Sequence, residues 1–238
     1  IPVFNVNNAC CSGSSAIYLA RQAVLSGQAD CVLAFGFEEM QAGALKSAWE
    51  DRESPGYRIE QMLNAQGIES GSPAPRWFGA AGRQYLDTYD ASPELFAKVA
   101  VKTRNHAIAN PYALFRTPIT VEEVMASSPI YGGYLTKLMC CPPSCGAAAA
   151  IIVSERFAKQ KGISDGVEIL AQVMATDTPA SWQDPMHAVG KEMVSRAAHQ
   201  LYEHAGIGPN DVDVIELHDC FTPNEVLTYE NLGLCGEG

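Results

Sequence analysis

The chain has 238 residues, 47% of them hydrophobic and 18% charged, with a formal net charge of −11. Those values fit a globular protein with an ample core, in one large domain or two small ones. The negative balance argues against a general nucleic-acid binder, which would present a basic surface, and no apolar run approaches the length of a membrane span.

The first distinctive stretch is Asn5-Val-Asn-Asn-Ala-Cys10-Cys-Ser-Gly-Ser-Ser-Ala16, followed by an apolar-periodic run from Ile17 to Ser26. Phe4 to Val6 read as the end of a buried strand. Ile17, Leu19, Ala20, Ala23, Val24 and Leu25 share one face of a helix. Cys10 is therefore expected at a strand-to-helix corner. Unpaired N–H groups at a helix start carry partial positive charge and favour a thiolate over a thiol. Cys10 thus has the setting of a nucleophile, with Gly13 and the serines keeping the corner small. Cys11 reads as a buried small hydrophobe.

Ala29 to Phe37 reads as a buried strand, with Gly27 as helix C-cap before it. The resulting strand–helix–strand unit predicts a parallel sheet. From about Gln41 to Leu135 the composition changes. Pro and Gly become frequent, and two helices are expected, Trp77 to Tyr89 and Pro93 to Ile108, the second capped by Ser92. The region reads as an inserted subdomain. Trp77 and Phe78 either line a ligand channel or fill the insert's own core, the second at least as readily as the first.

Met139 to Val153 returns to strand character, with an alanine run after Gly146, and Val167 to Ala175 reads as another strand. Met193 to Ala205 is expected as a helix stopped by Gly206 and Pro209. Asp213 to Leu217 reads as a buried strand with His218-Asp-Cys-Phe221 at its end, and a helix from Asn224 to Asn231 follows. Ligands of open α/β sheets gather at the carboxyl ends of strands, where both Cys10 and His218–Cys220 are expected.

The candidate chemistry is a Cys at one strand end with a His and a second Cys at another. Cys10 would attack a carbonyl, Cys220 would move a proton, and His218 would donate to a developing oxyanion. His106, His187, His199 and His204 read as structural, and Asp219 as a turn or orienting residue. The remaining cysteines (Cys31, Cys140, Cys141, Cys145, Cys235) form neither a dense disulfide framework nor paired C-x-x-C zinc sites, so reduced thiols in an intracellular setting are expected. No metal site and no glycine-rich dinucleotide fingerprint is read.

At these residues the chain resembles the thiolase superfamily, and within it the sterol carrier protein-type thiolases. Asn7-Asn-Ala-Cys10-Cys-Ser-Gly resembles the nucleophile motif Cys-x-Ser-Gly. Asp30 to Met40, Phe78-Gly-Ala-Ala-Gly82, Phe96 to Asn110, Cys140 to Ala149 and Asn224 to Cys235 are similar to later family segments. Val214-Ile-Glu-Leu-His-Asp-Cys-Phe221 is the most diagnostic piece. The resemblance implies a thiolase-like α/β fold of two related halves, with βαβ units, helices on both faces of mixed sheets and an inserted loop domain. Residues 1–40 would be the later part of the first half, 41–135 the loop domain, 136–158 the last strand of the first half and 159–238 the early part of the second.

The resemblance further implies thiolytic cleavage of a 3-oxoacyl-CoA to acetyl-CoA or propionyl-CoA and a shortened acyl-CoA. In that reading Cys10 is acylated, Cys220 is the acid/base cysteine and His218 belongs to the oxyanion hole. Coenzyme A is a co-substrate and no cofactor is covalently bound. Acyl-CoA substrates, a homodimer, and a lipid-transfer domain or small partner subunit are the implied partners, in the cytoplasm or the peroxisomal matrix. Cys145 departs from the family pattern, which has Asp before Gly-Ala-Ala. Both ends read as cut, with the family's Gly-His-Pro segment lying beyond them, so residues 1–238 alone are expected not to turn over. Two further readings stand beside this one. A related steroid side-chain aldolase would dispense with the cysteine nucleophile, and a lipid or acyl-CoA carrier would keep the scaffold without turnover.

Overall fold

The computed structural model describes residues 2–41 and 51–238. The chain forms two compact units, one from residues 2–41 and 143–174, the other from 51–142 and 175–238.

In the first unit, helix α1 (Ser12–Leu25) leads through Gly27, at φ +73°, into strand β1 (Cys31–Glu38). The turn closes with Gly27 N–H donating to Val24 and Gln28 N–H to Ala23, a glycine stop of the expected kind. The partner of β1 is the strand Gly146–Val153, which runs antiparallel to it with Cys31 opposite Val153 and Glu38 opposite Gly146. The parallel strand–helix–strand unit expected here is therefore corrected. Phe4 to Val6 makes no ladder among the described residues, and Phe4 is 85% exposed. A strand needs a neighbour for its N–H and C=O groups, and the small side chains of 147–150 let the later segment take that place. α1 lies against both strands, so Val32 and Ala34 are withdrawn from solvent while Leu33, Phe35 and Phe37 of the alternate face stay exposed.

Two local devices fix the ends of this ribbon. At one, Ser154 N–H donates to Asp30 C=O (2.9 Å), its Oγ bonds the Asp30 carboxylate (2.8 Å), and the same Oγ caps the helix that follows. Arg156 also bonds that carboxylate and holds its pKa below the usual range. At the other, Met40 N–H donates to the Cys145 sulfur at 3.3 Å. That bond gives Cys145 a role: a thiol, like a carboxylate, accepts a hydrogen bond there.

The second unit is mainly helical. α2 (Tyr57–Ala65), α3 (Pro73–Tyr89), α4 (Glu94–Ala107) and α5 (Val121–Ala126) precede a short hairpin, β2 (Pro129–Tyr131) and β3 (Leu135–Thr136). The strand already described, Gly146–Val153, is β4, and Glu155–Lys161 is α6; α7 (Pro185–Ala188), α8 (Lys191–Ala205) and α9 (Thr222–Asn231) return to the second unit. α3 starts four residues earlier than its periodicity predicts, because Pro73 stands in the first turn, where its missing N–H costs nothing. Ser92 Oγ accepts from Glu94 N–H at the start of α4, and Gly206 at φ +68° ends α8. α5 carries a reciprocal capping box, with Thr120 and Glu123 bonding each other's backbone N–H.

The core joins α3, α4, α5, the hairpin and α9 through Phe96, Val124, Leu135, Met139 and Leu227. Tyr134 lies buried across α3 and donates its hydroxyl to Gly79 C=O at 2.8 Å. Gly82 is required by that crossing, since a Cβ there would fall 2.1 Å from the Tyr134 hydroxyl and 2.8 Å from Pro223 Cγ. Trp77 and Phe78 fill packing roles. Trp77 joins Met62, Leu63 and Ala80 and donates to Glu60, while Phe78 stacks on Phe221 with ring centroids 5.1 Å apart. Arg76 is 3% exposed and saturated by Glu60, Asn64 and the carbonyls of Ile68 and Glu69.

Two predicted strands are corrected. Residues 167–175 and 213–217 form no ladder among the described residues, and Val214 is 76% exposed. Their apolar alternation marks a capacity to be covered, but pairing needs a neighbouring edge that these residues do not meet. Among the described residues no helix is long and apolar enough to cross a membrane.

Candidate active site

Cys10 lies in the first unit, two positions before α1. The turn that carries it is tied by its own motif residues. Cys11 N–H donates to Asn8 C=O (2.9 Å) and Ser12 N–H to Ala9 C=O (3.1 Å). Ser12 Oγ accepts from Asn8 N–H (2.8 Å) and donates to Ala9 C=O (2.7 Å). Asn8 Nδ2 reaches Ser15 Oγ (3.1 Å), and Ala9 N–H reaches Asn7 Oδ1 (3.2 Å). Ala9 sits at φ +45°, in the left-handed region that alanine seldom occupies. That cost persists only where surrounding bonds over-determine the backbone, as the Asn8 and Ser12 bonds do here. Cys10 is exposed at the head of α1, which starts with no side-chain cap. Cys11 is also exposed, contrary to its reading as a buried hydrophobe. A Cβ on Gly13 would meet nothing within 4 Å, so this position leaves open space beside the turn.

His218, Asp219 and Cys220 lie in the second unit, on extended backbone leading into α9. Each neighbour of Asp219 is held by a backbone bond. Asn224 Nδ2 donates to His218 C=O (2.9 Å), and Cys141 N–H donates to Cys220 C=O (2.9 Å). Cys140 and Phe221 form an antiparallel bridge beside the second bond. The His218 side chain is exposed, whereas Cys220 is buried at 8% exposure and followed by Phe221 on Phe78. One segment thus carries an open imidazole and a shielded sulfur. A sheltered thiol suits proton transfer to a carbon, which water would otherwise intercept.

Beneath this segment lies a group that the motif reading passed over. Glu225 of α9 is 2% exposed. Lys102 of α4 and the Tyr229 hydroxyl both donate to its Oε1, and Thr103 Oγ1 donates to Oε2 at 3.4 Å. Although burial works against it, Lys102 and Tyr229 hold the Glu225 pKa below the usual carboxylate range. Burial and the adjacent Glu225 push Asp219 up to about 7. The available signal was a Glu standing between Pro223 and Val226-Leu227 on the buried side of a helix. Of the histidines set aside as structural, His187 pairs with Asp184 at 2.9 Å, and His106, His199 and His204 are exposed on their helices.

Residues 1–124 match the family model described as "Thiolase, N-terminal domain", and residues 172–238 match "Thiolase C-terminal domain-like". The chain belongs to the thiolase family. The thiolase chain is 47% identical over its whole length to "Sterol carrier protein 2" of Rattus norvegicus, of which it covers 44%. It is 36% identical, again over its whole length, to "Benzoylsuccinyl-CoA thiolase subunit BbsB" of Thauera aromatica, covering 59% of that protein. Among solved structures it is similar to an "Ltp2-ChsH2(DUF35) aldolase", with TM-score 0.73 and 26% identity over 94% of this chain and 56% of that one. The fold is thiolase-like α/β, and the chain spans less than half the length of the sterol carrier relative.

Proposed function

We propose that the protein containing this chain is a thiolase-type acyltransferase that cleaves 3-oxoacyl-CoA thioesters through an acyl-cysteine. The observation that carries the reading is Cys10, exposed on a bond-tied turn at the head of α1 in a chain of this family. The Cys10 thiolate adds to the 3-oxo carbon. The C2–C3 bond then breaks, leaving the acyl group on sulfur and the electron pair on the enolate of the released thioester. Cys220 delivers the proton to that carbon and becomes a thiolate. A second coenzyme A thiol gives its proton to Cys220 and takes the acyl group, which restores both cysteines. His218 donates to the enolate oxygen. Electrostatic donors aimed at developing charge contribute much of such catalysis.

The test uses the full-length protein. Incubation with a 3-oxoacyl-CoA is expected to leave one acyl group on the peptide holding Cys10, read by mass spectrometry, and added coenzyme A is expected to remove it. Cys10→Ser should abolish labelling. Tight acyl-CoA binding with no label would instead favour a carrier role of the kind named in the sterol carrier relative.

A further inference from the structure

The first turn of α9 holds a polar residue whose side chain bonds backward, to the segment that precedes the helix. Asparagine is among the weaker helix formers, yet Asn224 stands in that turn. Its Nδ2 donates to His218 C=O at 2.9 Å, six positions back. Only the donor end of the amide can make this bond, because a carbonyl oxygen accepts and never donates. The backbone of Asn224 is itself fixed. Its N–H donates to Phe221 C=O (2.8 Å), and its C=O accepts from Thr228 Oγ1 (2.7 Å). α9 is in turn anchored through Leu227, buried in the core, and through Glu225, which accepts from Lys102 of α4. His218 has no such support of its own. Its side chain is exposed, and among the described residues the bond from Asn224 is the one hydrogen bond it makes.

We propose that Asn224 is a positioning residue for the cleavage step: by tying the His218 carbonyl to α9, it aims the imidazole at the enolate oxygen. Its catalytic meaning rests on the function proposed above; the tie itself does not. Two residues further on, Cys141 N–H fixes the same segment at Cys220 C=O (2.9 Å), beside the Cys140–Phe221 bridge. His218 and Cys220 are thus held by separate bonds from separate parts of the unit. Loss of the Asn224 bond leaves the tie at Cys220 standing, so the imidazole is the group that shifts. A misplacement of about 1 Å can cost on the order of 10²-fold in rate. In the proposed reaction only C2–C3 cleavage makes an enolate. Exchange of an acyl group between the Cys10 sulfur and coenzyme A makes none, and so has no use for the His218 donor. Asn224 therefore matters to one half of the reaction and not to the other.

The test measures both halves in the full-length protein, in wild type and in Asn224→Leu, which keeps nearly the same shape and has no donor. Cleavage of a 3-oxoacyl-CoA should fall by at least about tenfold in kcat, with KM within about twofold. Exchange of labelled coenzyme A into an acyl-CoA that lacks the 3-oxo group should stay within about twofold of wild type. A change that merely loosened the fold would slow both. In cleavage, the double variant with His218→Ala should be no slower than His218→Ala alone, because Asn224 acts through His218. Equal losses in the two reactions overturn the proposal, as do losses that multiply in the double variant or wild-type cleavage in Asn224→Leu. If Asn224→Leu does not fold, Asn224→Ser, too short to reach the carbonyl, is judged by the same criteria. If wild type performs neither reaction, the acyltransferase reading falls, and the imidazole NMR signal of His218, assigned by its absence in His218→Ala, judges the tie. That signal should move in Asn224→Leu, and an unmoved signal overturns the positioning as well.

Discussion

Gly82→Ala tests how closely α3 and the start of α9 approach one another. The added methyl would lie 2.1 Å from the Tyr134 hydroxyl and 2.8 Å from Pro223 Cγ. Neither is the free end of a flexible chain: the tyrosine is buried and the proline ring is rigid. Overpacking of this kind costs about 1–3 kcal/mol. Moving the Tyr134 hydroxyl off Gly79 C=O strips a buried hydrogen bond worth a further ~1–3 kcal/mol. Alanine returns about 1 kcal/mol through its better helix propensity. The net expectation is a loss of about 1–5 kcal/mol, read in the full-length protein as a lower urea midpoint with unchanged slope. In Tyr134→Phe the hydroxyl is gone and the methyl has more room, so the double variant should lose clearly less than the two single losses added together. A Gly82→Ala protein as stable as wild type would show that the two helices do not meet here.

Arg76→Met should be among the most damaging changes in the second unit. It leaves Glu60, Asn64 and two carbonyls without their shared donor, and a loss of about 3–5 kcal/mol is expected by chemical denaturation. Arg76→Lys should recover only part of that, because an ammonium cannot reproduce the planar fork; full recovery would refute the account. Cys145→Val should remove the acceptor for Met40 N–H and raise amide exchange there, whereas Cys145→Asp should preserve protection. Since the site is exposed, global stability should move by no more than about 1 kcal/mol.

The helices were legible because their signals are local. Ser92-Pro93 opens α4 and Gly206 closes α8 within a few residues of the apolar period that defines each. Two strands were legible as well, β1 over Ala29 to Phe37 and β4 after Gly146, but strand partners were not, because alternation shows that a segment can be covered without naming what covers it. Phe4 to Val6 and Asp213 to Leu217 carry convincing patterns and pair with nothing among the described residues, whereas the small-residue run 147–150 takes up the partnership with β1. At the site, Asn7 to Ser12 announces a turn, but nothing in the letter Ala at position 9 signals a left-handed backbone. The contrast between an open His218 and a shielded Cys220 was equally hidden, since it depends on Phe78 and on the bridge from Cys140, both remote in sequence. Glu225 went unremarked because a charged residue in a helix normally faces water.

The link from Lys102 to Glu225 spans 123 positions, and the stacked ring of Phe221 must also return to a helix made far earlier. On a ribosome adding roughly 5–20 residues per second, the lysine emerges on the order of ten seconds before its carboxylate exists. During that interval the apolar flanks of α3 and α4 have no α9 to close over them. A nascent chain stalled short of Glu225 should therefore be a client for holdase chaperones, and should lose that dependence within a few residues of Leu227 leaving the exit tunnel.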